Sequence, residues 1–275
     1  MRALVTGGGG QLASDLVAQL ADAHALPRTE LDITDDDAVA RAFDQTQPEV
    51  VFNCAAFHNV DVCETEEDRS FEVNARAVKR LAQRCEQDGA TLVHLSTNYV
   101  FDGTREEPYV EDDRPNPRSI YALSKLAGEY AALAYSSNAI VARSAGLYGR
   151  HGSASKGGNF VTRMIARAKE QGQLKMVADQ RLNPTFTADL AAGLLEAVEK
   201  RATGILHITN SNACSWHEFT VEIMRLAAIE VPIDAVETTS GGVDRPRNGV
   251  LARSRTEVAP LRTWQEALAD YLQPS

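Results

Sequence analysis

The chain has 275 residues, of which 44% are hydrophobic, and it carries a formal net charge of −10 at pH 7. This acidic balance argues against a nucleic-acid partner, because nucleic-acid-binding domains are usually basic. The apolar fraction suits a protein with a full core, and no apolar run approaches the roughly 20 residues that span a bilayer. The N-terminus lacks the apolar region of a signal peptide. We therefore expect a cytoplasmic protein without a membrane partner.

The cysteines show neither the spacing of a metal site nor that of a redox pair. They are Cys54, Cys63, Cys85 and Cys214, and no regularly spaced histidines accompany them. This usage is typical of reduced, packed thiols. The sequence therefore predicts no metal site.

Short apolar runs alternate with helical patterns in the first half of the chain. Predicted strands cover residues 2–6, 24–28, 49–55, 91–96 and 139–143, and predicted helices cover residues 11–23, 35–45, 71–87 and 117–135. Strands that alternate with helices indicate a parallel sheet covered on both faces. The sequence therefore predicts an α/β protein with a Rossmann-type, doubly wound parallel sheet.

A different pattern follows residue 150. A Gly/Ser/Lys-rich loop is predicted at 151–158, helices at 159–171, 187–200, 215–228 and 264–272, and a strand at 204–209. Ser215 and Glu218 have the spacing of a capping box. We expect a larger domain of residues 1–150, rejoined by 183–205, and a smaller C-terminal lobe of residues 151–182 and 206–275.

A glycine-rich turn follows the first predicted strand. Its sequence, Thr6-Gly7-Gly8-Gly9-Gly10-Gln11-Leu12-Ala13, fits Gly-x-x-Gly-x-x-Ala. In this motif Gly7 permits the tight turn and Gly10 lets the backbone approach a pyrophosphate. The strand before the turn and the helix after it supply the context that the motif requires. The larger domain is therefore predicted to bind a dinucleotide.

The end of the second predicted strand bears on the choice between NAD and NADP. An acidic residue there takes the ribose 2′-hydroxyl, whereas an arginine can take a 2′-phosphate. Arg28 lies near this end and favours NADPH, with NADH as the alternative if Arg28 is only a solvated surface residue. Asp32 and Ile33 follow and could line the adenine pocket, or Asp32 could cap the next helix.

Tyr121 and Lys125 lie four residues apart on a predicted helix, which places them on one face. A free tyrosine has a pKa near ~10, too high for efficient proton transfer at neutral pH. We expect the ammonium of Lys125 to lower the pKa of Tyr121 and also to hold the nicotinamide ribose. Thr97, at the end of the fourth strand, can donate to a substrate carbonyl oxygen. The pattern predicts hydride transfer with Tyr121 as the proton donor.

These residues carry a family resemblance. The motifs follow in order: the Gly-rich turn, Leu31-Asp32-Ile33-Thr34-Asp35, Asn53-Cys54-Ala55-Ala56, Asp61 with Glu64, Val73-Asn74, Ser96-Thr97-Asn98-Tyr99-Val100-Phe101, Tyr121-x-x-x-Lys125-x-x-Gly128-Glu129 and Asn183-Pro184-Thr185-x-x-x-Asp189-Leu190-Ala191. The chain resembles the extended short-chain dehydrogenase/reductases and, within them, the dTDP-4-dehydrorhamnose reductases. The resemblance covers most of the chain.

The resemblance implies a set of site residues. It implies a catalytic triad of Thr97, Tyr121 and Lys125. With the residues already named, it gives a predicted cofactor site of Gly7, Gly10, Gln11, Leu12, Arg28, Asp32, Ile33, Ala55, Ala56, Phe57, Tyr121 and Lys125. The predicted substrate site consists of Thr97, Asn98, Gly146, Asn159, Phe160, Arg245 and Arg247.

Two positions depart from the family pattern. Asn98 stands where the family usually has Asp, and Gly146 stands where it usually has a Trp that lies against the sugar. Loss of an indole removes a large apolar wall. The hexose can therefore differ, or another side chain, such as Phe57 or His58, can fill the gap. Both departures leave the residues for redox chemistry in place.

An acidic protein needs local cations to bind a nucleoside diphosphate. The candidates are Lys156, Arg181, Arg245 and Arg247, all in turn-rich segments. Asp244-Arg245-Pro246-Arg247 is a stiffened turn, from which we expect Arg245 and Arg247 to be aimed together.

The sequence therefore predicts NADPH-dependent reduction of a 4-keto nucleotide-sugar, with dTDP-4-dehydrorhamnose and dTDP-L-rhamnose as the leading substrate and product. An epimerase of the same superfamily is one alternative, although its loop usually reads Gly-x-x-Gly-Phe-Ile-Gly. A dehydratase is disfavoured, because Asn98-Tyr99 lacks the acidic pair which that chemistry needs. A non-catalytic NADP-binding regulatory subunit, like that of methionine adenosyltransferase, is an alternative from another class. The sequence leaves a homodimer open.

Overall fold

The computed structural model describes residues 1–151, 157–239 and 241–273. Most of the predicted loop at 151–158, with the candidate cation Lys156, lies outside the described residues. Within the described ranges, no helix combines the length and apolar character needed to cross a membrane.

The elements follow one another in this order along the chain. The strands are β1 (Ala3–Thr6), β2 (Ala23–Leu26), β3 (Val50–Asn53), β4 (Thr91–Thr97), β5 (Ile140–Ser144), β6 (Leu147–Tyr148), β7 (Leu174–Val177), β8 (Arg181–Leu182), β9 (Thr185–Phe186), β10 (Gly204–His207), β11 (Cys214–Ser215) and β12 (Ile233–Val236). The helices are α1 (Gln11–Gln19), α2 (Asp36–Thr46), α3 (Val60–Cys63), α4 (Glu67–Phe71), α5 (Ala77–Asp88), α6 (Ile120–Tyr135), α7 (Phe160–Gln171), α8 (Thr187–Glu199), α9 (Trp216–Leu226) and α10 (Trp264–Tyr271). A π-helical turn, Glu72–Arg76, joins α4 to α5, and a 3-10 turn, Asn98–Val100, follows β4.

Six of the described strands form one parallel sheet in the order β2-β1-β3-β4-β5-β10. The chain passes from β2 across β1 to β3, so the order reverses between β1 and β3. Open α/β sheets bind ligands at such a switch point, outside the carboxyl ends of the strands. The predicted Rossmann-type fold is confirmed.

Apolar side chains on the sheet alternate between its two faces, as the period of a strand requires. Val5 packs beneath α1 and α8 on one face, whereas the preceding Leu4 packs beneath α2, α5 and α6 on the other. Because both faces are covered, β1 and β3 are buried at every position. The structure thus has three layers, with helices on both sides of the sheet.

A separate apolar core lies beyond the sheet, in the C-terminal part of the chain. It joins α7, α9 and α10 through residues that include Val161, Phe219 and Trp264. By contrast, α8 packs in the core of the sheet, and β10 is an edge strand of the sheet. The exact division of the chain into two domains stays a prediction.

Several element boundaries differ from the sequence predictions. The helix expected from residue 117 begins at Ile120, because the Ser119 side chain accepts from Ala122 N and caps it. The helix expected to end at residue 23 ends at Gln19, and β2 begins at Ala23. Strands β7 and β12 were not predicted; they pair in parallel with each other, outside the main sheet. The predicted capping box of Ser215 and Glu218 is present.

Candidate active site

The loop after β1 meets the segment after β3 at the switch point. Gly7 has a φ of +71°, which favours glycine, and a Cβ there would lie 3.1 Å from Ala55 N. A Cβ on Gly8 would lie 2.7 Å from the carbonyl carbon of Ala25 in β2. A Cβ on Gly9 would meet no described atom within 4 Å. The loop is therefore packed tightly on the sheet and open on its other side.

The open side of this loop leads to the N-terminus of α1. Gly10 is the N-cap residue, and no described side chain caps the helix there. The amide groups of an uncapped first turn can bind an anion. The loop therefore fits the pyrophosphate that the Gly7/Gly10 motif predicts.

Three of the predicted cofactor residues have side chains occupied within the protein. The Gln11 Oε1 atom accepts from Gly149 N at 2.7 Å. Leu12 and Ile33 are buried in the two cores of the sheet. Contacts from Leu12 and Ile33 to a dinucleotide would therefore come from their backbone.

The segment of Ala55, Ala56 and Phe57 is half-buried beside the glycine loop. Ala55 N donates to the Thr6 hydroxyl at 3.1 Å. Phe57 is held by Asn74, which accepts from Phe57 N at 2.9 Å and donates to Phe57 O at 2.8 Å. This double hydrogen bond fixes the backbone of the segment against the π-helical turn.

Arg28 and Asp32 form an ion pair just beyond β2. Arg28 Nη2 lies 2.9 Å from Asp32 Oδ2. Partial burial of Asp32 works in the opposite direction, but hydrogen bonds from Thr34 and Arg28 hold the pKa of Asp32 below its usual value. Asp32 does not cap α2; Asp35 does, by accepting from two amides of the first turn.

The three predicted catalytic residues come together at the carboxyl end of β4. Thr97 ends that strand, and Tyr121 and Lys125 lie in the first two turns of α6. The Tyr121 phenol interacts with the Thr97 hydroxyl, and its ring meets the Tyr99 ring edge-on with 5.9 Å between centroids. Lys125 is buried, and its Nζ donates to Leu95 O at 2.6 Å.

Burial controls the protonation of both residues. It raises the pKa of Tyr121 above the usual tyrosine value, against the opposing hydrogen bond from Thr97. Burial lowers the pKa of Lys125 to about 8, against the opposing charge of Glu129. The expected lowering of the Tyr121 pKa by Lys125 is therefore wrong in this structure, where Lys125 Nζ is bonded to Leu95 O. A protonated Tyr121 is nevertheless the form that can give a proton to a substrate.

Glu64 and Gly128 determine how α6 is placed. Ile120 N, at the start of the helix, donates to Glu64 Oε1 at 2.8 Å. A Cβ on Gly128 would lie only 2.1 Å from Asn74 O, so glycine alone lets α6 approach the π-helical turn this closely. Asn74 also donates to the Ser124 hydroxyl at 3.0 Å. The residue before Tyr121 and the residue before Lys125 are both anchored in this way.

A buried ion pair follows one turn beyond Lys125. Glu129 accepts from Arg143 Nε at 2.9 Å and from Arg143 Nη2 at 2.6 Å. Ser96 Oγ donates to the same carboxylate at 2.5 Å. Glu129 is 0% exposed and Arg143 1% exposed, so both charges depend on each other. Glu129 therefore connects α6 to β5 through Arg143 and to β4 through Ser96.

The two positions that depart from the family pattern are both filled by the protein itself. Asn98 is buried, and its Nδ2 donates to Gly249 O at 2.9 Å. Gly146 has a φ of +56°, and a Cβ there would lie 2.6 Å from Leu182 Cδ1. Leu182 thus occupies the space directly beside Gly146; that Phe57 or His58 lines the sugar site stays a prediction.

Asn159 and Phe160 lie at the start of α7. Asn159 caps this helix by accepting from Thr162 N, and its Nδ2 donates to Gly149 O at 2.7 Å and to the Tyr271 hydroxyl at 2.9 Å. Phe160 packs on Trp216 with 4.4 Å between ring centroids. The amide of Asn159 therefore has a structural role in the fold, whatever else it binds.

The candidate cations diverge instead of aiming together. Arg245 Nη2 donates to both oxygens of Asp61, at 2.9 and 3.0 Å, and also contacts Tyr99. Arg247 lies 4.0 Å from Asp179 and is 74% exposed. The expectation of a jointly aimed pair is wrong, because each arginine has its own carboxylate. Arg245 is the one of the two that contacts Tyr99, whose ring packs on the predicted catalytic residue Tyr121.

Several residues of the site were not predicted as site residues from the sequence. These are Asn53, Glu64, Asn74, His94 and Glu129. Asn53, Glu64, Asn74 and Glu129 stood in the family motifs without a role. Asn53 and His94 stand inside runs that otherwise read as buried apolar strands, and a polar residue at such a position was the available signal.

The described residues hold no group of three or more His, Cys, Asp or Glu side chains that could bind a metal ion. Among the described residues, the four cysteines form no disulfide bond.

Comparison with known proteins identifies the family. A family model described as RmlD substrate binding domain matches residues 1–275. The dTDP-4-dehydrorhamnose reductase of Streptomyces griseus is 40% identical, over 98% of this chain and 92% of that protein. The dTDP-4-keto-6-deoxy-D-glucose reductase of Streptomyces niveus is 36% identical, over 97% of this chain and 95% of that protein.

A solved structure supports the same assignment. The dTDP-4-dehydrorhamnose reductase of Bacillus anthracis, in complex with NADP, matches with a TM-score of 0.93 and 32% identity, over 98% of each chain. The predicted resemblance is confirmed: the chain belongs to the RmlD family of extended short-chain dehydrogenase/reductases.

Proposed function

We propose that the chain is an NADPH-dependent reductase of a dTDP-linked 4-keto-6-deoxyhexose, with dTDP-4-dehydrorhamnose as the leading substrate and dTDP-L-rhamnose as its product. The observation that carries this proposal is the convergence of Thr97, Tyr121 and Lys125 at one edge of the sheet, beside an open glycine loop. The names of the relatives, which are reductases of dTDP-linked keto sugars, support it.

The chemistry follows from the protonation states of the triad. When bound, NADPH supplies a hydride to the carbonyl carbon. Tyr121, kept protonated by burial, gives its proton to the carbonyl oxygen and becomes a phenolate. Lys125, whose Nζ is bonded to Leu95 O and does not lower the pKa of Tyr121 here, would hold the nicotinamide ribose with its ammonium. Thr97, which already interacts with the Tyr121 phenol, can donate to the same oxygen.

NADPH is the proposed reductant, with NADH as the alternative. The NADP complex of the Bacillus anthracis reductase supports NADPH. In this chain the supporting residue is Arg28, whose guanidinium lies just beyond β2 and is 64% exposed. When NADPH is bound, the Arg28 guanidinium would contact both Asp32, its ion-pair partner, and the 2′-phosphate.

The identity of the hexose is the finer part of the proposal. The relatives' own names differ in the sugar they reduce, and here Leu182 occupies the space beside Gly146. A leucine offers less apolar area than an indole, so the hexose that this chain reduces can differ from the one that the family pattern implies. The cytoplasmic location and the homodimer stay predictions.

A substrate panel tests the proposed function. NADPH oxidation is followed with dTDP-4-dehydrorhamnose and with other dTDP-linked 4-keto-6-deoxyhexoses, and the products are identified. Turnover of dTDP-4-dehydrorhamnose to dTDP-L-rhamnose is expected. Turnover of a different sugar alone would replace the substrate, and a changed sugar without net NADPH oxidation would favour the epimerase. Binding of NADPH without turnover of any sugar would favour the regulatory subunit.

A further inference from the structure

A row of buried polar side chains crosses the sheet behind Lys125. Thr6, Asn53 and His94 lie side by side in register on β1, β3 and β4. Thr6 Oγ1 donates to Asn53 Oδ1 at 2.7 Å, Asn53 Nδ2 lies 3.1 Å from His94 Nδ1, and His94 Nε2 lies 3.3 Å from Lys125 Nζ. Each of the four residues is at most 3% exposed. Buried polar rows of this kind are worth more than isolated bonds, and each member depends on the next.

The donors and acceptors in this row determine the tautomer of His94. The Thr6 hydroxyl accepts from Ala55 N and gives its own proton to Asn53 Oδ1. Asn53 Nδ2 therefore donates to His94 Nδ1, and a neutral imidazole must carry its proton on Nε2. An Nε2–H can donate to Lys125 Nζ only when that amine is neutral.

The opposite charge state of Lys125 requires the opposite arrangement. An ammonium donates and needs Nε2 as its acceptor, which moves the imidazole proton to Nδ1. That proton then needs the Asn53 oxygen, so the amide must turn over and donate to Thr6 Oγ1. The tautomer of His94 is thus coupled to the charge of Lys125.

We propose that His94 is a positioning residue of the reductase, which aims Lys125 Nζ between Nε2 and Leu95 O and couples the charge of Lys125 to the Asn53 amide. Its role in the reaction rests on the proposed function, whereas the coupling itself is a property of the ligand-free protein. His94 does not touch Tyr121 or the substrate in this proposal and acts only through Lys125.

The electrostatic surroundings agree with this role. Burial, followed by the charge of Lys125, lowers the pKa of His94 well below its usual value, so the ring is neutral and can accept. Lys125 is faced by His94 from β4, by Glu129 from α6 and by Cys54 from the segment after β3. Burial raises the pKa of Cys54 to about 12, which keeps that thiol neutral. Lys125, with its pKa lowered to about 8, is the group in the row that changes charge near working pH.

Nitrogen NMR of the ligand-free protein tests the coupling directly. The protein is labelled with ¹⁵N-histidine, and the His94 signals are assigned by their loss in His94→Gln. The Nδ1–H tautomer is expected below about pH 8 and the Nε2–H tautomer above it, as Lys125 loses its proton. Lys125→Met should abolish the switch. A single tautomer across the pH range, or a switch that persists in Lys125→Met, would overturn the proposal, whether or not the chain is a reductase.

Kinetics test the role in the reaction. His94→Leu removes the acceptor and disfavours the ammonium, so the upper pH limit of kcat is expected to move down by about one unit, with kcat near that limit about tenfold lower. His94→Gln keeps an acceptor and should recover most of this loss. His207→Gln is the matched control, since His207 is also buried and binds Ala252 O at 2.8 Å. A pH profile moved equally in His207→Gln, or unmoved in a folded His94→Leu, would contradict the role.

Discussion

Helix α6, which carries the proposed catalytic residues Tyr121 and Lys125, and the segment of residues 241–248 both lie at the candidate site, but they are held in opposite ways. Around α6 the polar contacts are buried, and the Glu129–Arg143 pair is almost inaccessible to solvent. In the segment the charged side chains pair at the surface, as in Arg245 with Asp61, where the carboxylate is 66% exposed. A second exposed pair, Asp244 with Arg118, joins the segment to the chain just before α6.

This difference corresponds to two functions, proton transfer and the binding of an anionic ligand. Proton transfer needs the reacting groups in one fixed geometry, and buried, mutually dependent contacts supply it. An anionic ligand needs cations that can change partners, and surface ion pairs of low strength allow that. We therefore expect substitutions around α6 to alter stability and kcat, and substitutions in the segment to alter KM.

The largest expected effect is on the buried ion pair. Glu129→Leu leaves Arg143 buried without its counter-charge, so the free energy of unfolding should fall by about 3–5 kcal/mol. Urea unfolding measures this change. The double variant Glu129→Leu/Arg143→Met should recover much of the loss, because it removes both charges.

The exposed pair of Glu222 and Arg225 is the control for that measurement. Glu222→Leu should leave the unfolding free energy nearly unchanged, since surface pairs contribute little. A similar loss in Glu129→Leu and Glu222→Leu would remove the distinction between the two regions.

Tyr121→Phe is expected to have the next largest effect, on catalysis alone. Loss of the proton donor should lower kcat by about 10²-fold or more, with NADPH binding nearly intact. Tyr130→Phe is the control, because Tyr130 is on the same helix and 57% exposed. Steady-state kinetics and a cofactor titration measure both quantities. Turnover like that of the wild type in Tyr121→Phe would exclude Tyr121 as the donor.

The region around α6 was also the more predictable one. The Tyr121–Lys125 spacing is a local property of a helix, and the apolar runs of β1 and β3 directly reflect burial on both faces. The direction of the Tyr121 pKa shift was not predictable, because it depends on the burial of the phenol and on its contacts with Thr97, Tyr99 and Cys63 in the folded chain. Composition and spacing contain neither.

Long-range pairing explains what was mispredicted in the C-terminal part. Arg245 and Asp61 are 184 positions apart, so the turn of residues 244–247 gave no sign of the partner. Leu182 fills the space at Gly146 for the same reason, through a contact that forms only in the folded chain. The pair β7 and β12 was missed because both strands are short and only partly buried.

Arg245 and Arg247, in the segment of residues 241–248, provide a sharper test of whether this segment binds the anionic ligand. Arg245 lies beside Tyr99 and is 31% exposed, whereas Arg247 is mostly solvated. Arg245→Ala should raise KM for the sugar nucleotide about tenfold, the usual scale of one charge-assisted hydrogen bond. Arg247→Ala should change KM by less than about twofold.

Asp61→Asn completes this comparison. It frees Arg245 from its carboxylate, so KM for the sugar nucleotide should fall or stay level. A KM raised equally by Arg245→Ala and Asp61→Asn would mean that the ion pair holds the segment in place and does not serve the ligand.

The smallest expected effect is on cofactor binding, at Arg28. Like the charged residues of the segment 241–248, Arg28 pairs with a carboxylate at the surface and not in the core. Its guanidinium is 64% exposed and already shares a charge with Asp32, so solvent and this carboxylate weaken any new contact. Arg28→Ala should nevertheless weaken NADPH binding by several-fold, up to about tenfold, because an arginine–phosphate contact is charge-assisted and often bidentate. NADH carries no 2′-phosphate, and its affinity should stay within about twofold. Fluorescence titration of both cofactors measures the ratio, and an equal loss for NADPH and NADH would show that Arg28 does not contact the 2′ position.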